Sequence, residues 1–239
     1  MKIALIGYGK MGKAIEEICK ERKHEVVLRI SSATKSELTI TNLQKANVAI
    51  EFTKPEMAEE NILLCLEAGI PVISGTTGWL QHIDKIKNIC LRKNGAFLYA
   101  SNFSIGVNLF FEINKKLAAL MANQSDYDVS IEEIHHTQKK DSPSGTAISL
   151  AEQIIDKLNY KIKWVNDEPT QVTDLFIESK RIDPAAGTHL VKYTSKIDDI
   201  EIKHTAHNRL GFARGAVLAS EFIVGKKGIF GMKEVLGIL

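Results

Sequence analysis

Between Glu132 and Ala147 the chain reads EEIHHTQKKDSPSGTA. Two adjacent histidines, His135 and His136, stand close to Lys139, Lys140, Asp141 and a Ser-Gly-Thr. The run that leads in, DVSIEEIHHT (128–137), alternates with period two, as a half-buried strand does. Successive side chains on a strand face opposite ways, so both imidazoles reach one pocket only if the strand ends or bends there. Pro143 and Gly145 favour such a bend and leave the lysines in a loop. Ser144, Gly145 and Thr146 then open a helix, whose first amides are free to meet an anion. The residue types describe a carboxylate-binding site flanked by an imidazole acid and an ammonium; the alternative is a purely structural histidine pair.

The elements that must hold such a site fall into two groups. Over the first hundred residues, short apolar runs KIALIG (2–7), EVVLRI (25–30), VAIEFT (48–53), IPVISG (70–75) and AFLYAS (96–101) alternate with helical patterns at 13–23, 55–69 and 80–93. That order predicts a Rossmann-like, doubly wound parallel sheet. After it come a long helix (106–122), the strand at 128–137, a helix at 144–158 and strands at 175–182, 189–195 and 200–206. They predict a smaller α+β lobe with a mixed sheet open on one face. The remaining residues return to helical periodicity. The expected division is a dinucleotide-binding domain over 1–105, completed by 213–239, and a substrate-binding and oligomerisation domain over 106–212, with hinges at Ser101–Gly106 and near Arg209–Gly215.

The run GYGKMG (Gly7, Tyr8, Gly9, Lys10, Met11, Gly12) fits G-x-G-x-x-G directly after a strand and before a helix. Gly7 allows the tight turn, Gly9 the approach of a pyrophosphate, and Gly12 close helix–strand packing. The acid that would hold the ribose hydroxyls of NAD at the end of the second strand is missing; Ser31 and Ser32 stand there, with Arg29 and Lys35 nearby. A 2′-phosphate is therefore not repelled, which favours NADPH and leaves NADH usable. Ligands of such sheets lie beyond the strand ends, so Phe52 and Thr53, then Gly75, Thr76 and Thr77, then Ala100, Ser101, Asn102 and Phe103 rim the same crevice. Phe52 and Phe103 are expected to sandwich a flat ring.

A net charge of +2 without a basic stripe argues against a nucleic-acid binder. No apolar run approaches the ~18 residues of a membrane span, and the first apolar run is too short for a signal peptide, so a cytoplasmic location is expected. Cys19, Cys65 and Cys90 are far apart and read as buried reduced thiols. His24 and His82 read as solvated; His189, His204 and His207 lie on or after strands; no metal-ligand spacing appears, so no metal is expected.

In order along the chain, GYGKMG, EFT.P, GTTG, NFSIGVN, E.HH..K.DSPSGTA and NRLGFARGA resemble the 4-hydroxy-tetrahydrodipicolinate reductase (dihydrodipicolinate reductase) family of diaminopimelate and lysine biosynthesis. The resemblance runs through nearly the whole chain. It departs at Glu51, where the family often has aspartate, at Ser142, where alanine is common, and in the missing acid and small gap after the second strand. It implies a cyclic unsaturated dicarboxylate substrate, reduced by hydride from NADPH or NADH and protonated at a neighbouring position. By resemblance His135 is the general acid, a task suited to a pKa near neutral. Lys139 is the second acid–base and electrostatic group. His136, Gly145 and Thr146 hold carboxylate, and Asp141 orients Lys139 or caps the helix. The cofactor is held by the glycine loop, by Gly75–Thr77 and by Ala100–Phe103, with Arg209 and Phe212 reaching in, and the assembly is a homotetramer. Two rivals share the glycine loop: another two-lobed nicotinamide dehydrogenase, and a dinucleotide sensor without turnover. Neither needs the HH..K.D.PSGTA block.

Overall fold

The computed structural model describes residues 1–208 and 210–238. The chain divides into two compact units, Met1–Ile105 with Leu210–Leu239, and Gly106–Arg209. The first unit contains β1 (Lys2–Ile6), α1 (Lys10–Glu21), β2 (Glu25–Ile30), α2 (Ile40–Leu43), β3 (Val48–Glu51), α3 (Pro55–Glu67), β4 (Val72–Ser74), α4 (Ile83–Arg92) and β5 (Ala96–Tyr99). The second is built on α5 (Ile105–Met121), β6 (Asp128–His135), α6 (Gly145–Ile155), β7 (Lys163–Val165), β8 (Asp174–Arg181), β9 (Gly187–Thr194) and β10 (Asp199–Ala206). The chain then returns to the first unit with α7 (Leu210–Ile223), β11 (Gly228–Phe230) and α8 (Met232–Val235). Residues 210–212, given to the second lobe by sequence, are therefore the first turn of a helix of the first unit.

In the first unit six parallel strands lie in the order β11-β5-β4-β3-β1-β2. The inner strands β3 and β4 are buried along their whole length. Each such strand is an apolar run because both faces are covered. One face packs Ile3, Leu5 and Ile50 with Ile15 and Ile18 of α1 and Ala216, Val217 and Ile223 of α7. The other packs Ala4, Ile6 and Val72 with Ile62 of α3 and Ile86 of α4. Each fully buried Ile or Val stabilises the unit by about 1.5–3 kcal/mol. The chain passes from β1 to β2 on one side and reaches β3 on the other, so the order reverses between β1 and β3. Gly7 follows the first of these strands and Phe52 the second, and a Cβ on Gly7 would lie 1.9 Å from the Phe52 carbonyl oxygen. Only glycine fits where the backbones meet at the switch point.

The terminal segment is not all helical. Gly228–Phe230 adds a sixth strand beside β5. Three residues are too few to display a period, so the helical periodicity of this segment is that of α7.

In the second unit the order is β10-β9-β6-β8-β7, with β6 parallel to β8 and antiparallel to β9. This is the mixed sheet expected, with β7 as an added edge strand. The alternation in β6 sends Val129, Ile131, Glu133 and His135 to the buried face. Val129 and Ile131 join Phe110 and Met121 of α5 and Leu150 and Ile154 of α6 in the core. The other face carries ion pairs, Lys180 with Glu132 (2.6 Å) and Lys192 with Glu201 (3.3 Å). Among the described residues no helix is long and apolar enough to cross a membrane.

Candidate active site

Each unit carries part of the predicted chemistry. In the first, α1 begins at Lys10 with Gly9 as its cap and no side-chain cap, so its first amides are unclaimed by a side chain. A Cβ on Gly9 would meet nothing within 4 Å, while one on Gly12 would lie 2.4 Å from the Gly7 carbonyl oxygen. Gly9 thus leaves room for a ligand and Gly12 packs the helix against the turn. Two adjoining clefts share Gly7, Gly9 and Thr53. One, of about 390 Å³, is lined by Tyr8, Ser31, Ser32, Lys35 and Lys54, with no carboxylate among its described lining residues. The other, of about 360 Å³, is lined by Lys10, Met11, Phe52, Gly75, Thr76 and Thr77. Free helix-start amides, an open Gly9 and a carboxylate-free ribose end fit a nicotinamide dinucleotide.

Beneath these loops Glu51 is fully buried. Its carboxylate accepts from Ser74 Oγ (2.6 Å), Thr76 Oγ1 (2.8 Å) and the Thr53 amide (3.0 Å), and also from the Thr53 hydroxyl. It ties the loop after β3 to the loop after β4. A strand-end acid was visible in the sequence, but only the sheet shows what it binds.

The fifth-strand loop is packed more deeply than the other two. Ala100 and Phe103 are buried, and Phe103 belongs to the core facing α7, where a Cβ on Gly215 would sit 1.7 Å from its carbonyl oxygen. Asn102 caps its own turn, accepting from the Ser104 amide at 2.8 Å, and Ser101 is exposed. The Phe52 and Phe103 ring centroids are 5.5 Å apart at an interplanar angle of 53°. A ring held between them would need two carbon contacts of about 3.5 Å each, so at this spacing the two rings pack on each other. Phe212 is half-buried in the first turn of α7. Arg209 lies outside the described residues.

In the second unit β6 ends at His135, which is 8% exposed, while the next residue, His136, is half-buried. Lys139 follows in the turn, its ammonium 2.8 Å from both carboxylate oxygens of Asp141. Asp141 is thus the ion-pair partner of the lysine. The helix is capped by Ser144, whose hydroxyl accepts from the Ala147 amide at 3.2 Å. That leaves the amides of Gly145 and Thr146 at the open helix start, where a Cβ on Gly145 would meet nothing within 4 Å.

Behind these residues lies a cluster that sequence reading missed. Glu133, fully buried, accepts the Ser144 amide with both oxygens (3.0 and 3.1 Å) and the Ser179 hydroxyl (2.9 Å). Arg181 Nη1 is 3.5 Å from it, His135 Nδ1 3.5 Å and His189 Nε2 3.7 Å. His189 also lies 3.1 Å from Ser144 Oγ, with its ring edge-on to His135 at 5.1 Å. Burial pushes the Glu133 carboxyl up, but His189, Ser144 and Ser179 outweigh it and hold the group at about 2. Burial pushes the His135 imidazole down to about 4; Glu133 opposes this, and His189, Lys139 and Arg181 add to it. The near-neutral value expected for this histidine is therefore not that of the free site, because desolvation outweighs the one carboxylate.

Ligand atoms of Glu133, His135 and His189 lie within 4.8 Å of one another, a grouping that can hold a metal ion and that sequence spacing did not reveal. An amide, a hydroxyl and a guanidinium already converge on the carboxylate, so its charge is met without a cation. Among the other histidines, His24 is not solvated as expected: its Nε2 is 2.6 Å from Glu221 Oε1 and the side chain is 14% exposed. The three cysteines are buried and unpaired.

The chain matches the family models described as dihydrodipicolinate reductase, N-terminus, over residues 1–103 and dihydrodipicolinate reductase, C-terminus, over residues 106–236. It is 51% identical to a 4-hydroxy-tetrahydrodipicolinate reductase from Christiangramia forsetii, with 100% of this chain and 99% of the relative covered. The enzyme of the same name from Methanosarcina mazei is 34% identical, over 99% of this chain and 89% of that one. Among solved structures, a dipicolinate-bound dihydrodipicolinate reductase from Paenisporosarcina sp. TG-14 shares the fold at a TM-score of 0.77, 23% identity and coverage of 100% and 99%.

Proposed function

The chain belongs to the dihydrodipicolinate reductase family, and on that premise we propose how its residues share the reaction. The protein is an oxidoreductase of diaminopimelate and lysine biosynthesis that reduces 4-hydroxy-tetrahydrodipicolinate to tetrahydrodipicolinate with NADH or NADPH. Hydride and a proton enter and the 4-hydroxyl leaves as water, which balances the change. Reduced nicotinamide dinucleotide supplies the hydride. Gly7–Gly12, Phe52, Thr53 and Gly75–Thr77 hold its phosphates and nicotinamide half, and Ser31, Ser32 and Lys35 its ribose end.

His135 delivers the proton. The amides of Gly145 and Thr146, with the Thr146 hydroxyl and His136, grip a substrate carboxylate; Lys139, steadied by Asp141, supplies positive charge and a second acid–base group. A dianionic substrate brings negative charge beside an imidazole that burial has depressed, so it raises that pKa and draws a proton onto His135 as it binds. One observation supports these assignments most: the Ser144 amide bonds to Glu133, two residues before His135, which fixes the helix start to the acid.

The test follows the loss of reduced-nicotinamide absorbance with freshly generated 4-hydroxy-tetrahydrodipicolinate, NADPH and NADH in parallel. Turnover is expected with at least one of them and a loss of roughly 10²–10⁴-fold in His135→Ala. Wild-type turnover in that variant removes His135 as the acid. The assembly we propose is a homotetramer paired through the open face of the five-stranded sheet; a monomer in light scattering contradicts it. Three buried free thiols suit the reducing cytoplasm, and the partners are small molecules rather than nucleic acid or membrane.

A further inference from the structure

We infer that Glu133 is a positioning residue for the reaction: its buried carboxylate holds His135 through Nδ1, leaving Nε2 to deliver the proton, and anchors the carboxylate-gripping start of α6 through the Ser144 amide. This rests on His135 being the acid.

A carboxylate with no exposed surface is costly unless its lone pairs are met. Here the donors come from separate elements: Ser144 from the α6 start, Ser179 and Arg181 from β8, His189 from β9. Strand register sets this convergence, because Glu133 stands opposite Ser179 in β8 and His189 in β9, and His135 opposite Arg181. Two imidazole nitrogens of the cluster, His135 Nδ1 and His189 Nδ1, are buried without a hydrogen-bond partner among the described residues, and of these it is His135 Nδ1 that lies beside the carboxylate. The carboxylate oxygen nearest to it is Glu133 Oε2, at 3.5 Å. That is longer than a hydrogen bond, and a shift of about half an ångström closes it; such contacts commonly tighten when the substrate complex forms. The opposite nitrogen faces the space kept clear by Gly187, where a Cβ would lie 3.2 Å from Nε2.

With Nδ1–H donating to Glu133, the neutral ring has one tautomer, and the proton needed for catalysis is taken up at Nε2. When it leaves, the ring returns to the Nδ1–H form and no other bond on the protein changes. The same carboxylate, through Ser144, fixes the amides of Gly145 and Thr146. One group therefore sets the position of the acid relative to the carboxylate grip.

The charged and titratable groups facing His135 are Glu133 on its own strand, Arg181 from β8, His189 from β9 and Lys139 from the following turn. Glu133→Gln keeps the shape and an acceptor for Ser144 but removes the charge, so Arg181 and Lys139 then act on the imidazole unopposed. The alkaline limb of the kcat profile, which reports the acid in the substrate complex, is expected to move to lower pH. Its plateau should fall roughly tenfold or more while KM for the coenzyme holds, and Glu133→Asp should recover part of the shift. A purely structural Glu133 would lower the melting temperature and leave the limb where it is; an unmoved limb in folded Glu133→Gln overturns the inference. Neutron diffraction of the wild-type protein at neutral pH needs no variant to fold. A deuteron on His135 Nδ1 is expected, and one on Nε2 with Nδ1 bare overturns the tautomer assignment. Should His135→Ala keep full turnover, the reading of His135 as the acid fails by itself, and the neutron result still reports separately on the Glu133 contact.

Discussion

Arg29 Nη2 lies 2.6 Å from Glu16 Oε1, which holds the guanidinium at the end of β2 against α1. Tyr8 donates its hydroxyl to the same carboxylate. The Arg29 and Tyr8 hydrogen bonds keep Glu16 at about 2 against the effect of burial. Arg29 is therefore engaged, and the cations that line the cleft with Ser31 and Ser32 are Lys35 and Lys54, of which Lys35 is the nearer to the two serines along the chain. Lys35→Ala is expected to raise KM for NADPH roughly tenfold, the scale of one charge-assisted hydrogen bond, and to leave NADH within about twofold. Arg29→Ala should change that ratio less. Steady-state kinetics with both coenzymes decides it, and a larger shift from Arg29→Ala reverses the assignment.

Lys139 and Asp141 form an ion pair, and the proposed role falls to the lysine. Lys139→Ala is expected to lower kcat and raise the substrate KM together, since the ammonium serves both binding and charge balance. Asp141→Asn should keep the ammonium and cost less, about tenfold or below, because it loosens the lysine without removing it. If Lys139→Ala changes neither constant, the lysine has no part in the site.

Acid should destabilise the fold through the Glu133–His135 cluster. The folded pKa of His135 is about 4, below the ordinary 6.5, so between those values the unfolded chain binds a proton that the native one does not. Stability from this group is complete above pH ~6.5 and is lost as pH falls towards 4, on the order of 3 kcal/mol in all. Glu133, at about 2 against 4.5, extends the loss below pH 4.5 in the same direction. Urea unfolding at pH 7.5 and 5 is expected to show a lower midpoint at pH 5, with a smaller difference in His135→Gln. An equal difference in the variant would place the effect elsewhere.

Glu51 gathers donors from the loops after β3 and β4, which we propose hold the coenzyme, so its loss should be felt in coenzyme binding before chemistry. Glu51→Gln turns one acceptor into a donor against Ser74 or Thr76, at a cost of about 1–3 kcal/mol for the unmet group. KM for NADPH and NADH should rise together, with kcat at saturating coenzyme nearly unchanged. A fall in kcat at constant KM would mean that the loops do not depend on it.

Much of the site could be read along the chain because it depends on local patterns. The glycine spacing requires a turn where Gly7 meets Phe52, and Pro55 at the first position of α3 marks its start. Period two in β6 puts Glu133 and His135 on one face, and Ser144 before Gly145 signals a helix cap. Glu133 itself was within reach, since it stands two residues before the histidine assigned as acid.

What the chain does not spell out comes from pairings between distant segments. His189 reaches Glu133 because β9 pairs antiparallel with β6, and Ser179 and Arg181 because β8 pairs parallel with it. A slip of one residue in either register would turn those side chains to the other face. The burial of Phe103 beneath α7 and the engagement of His24 by Glu221 are likewise contacts between residues far apart in sequence. The residue types, the two kinds of sheet and the strand and helix ends are legible along the chain, because those follow from spacing and turn geometry. Which buried charge stands behind His135 is set by the folded core, because strand register and side-chain packing are settled by all of it at once.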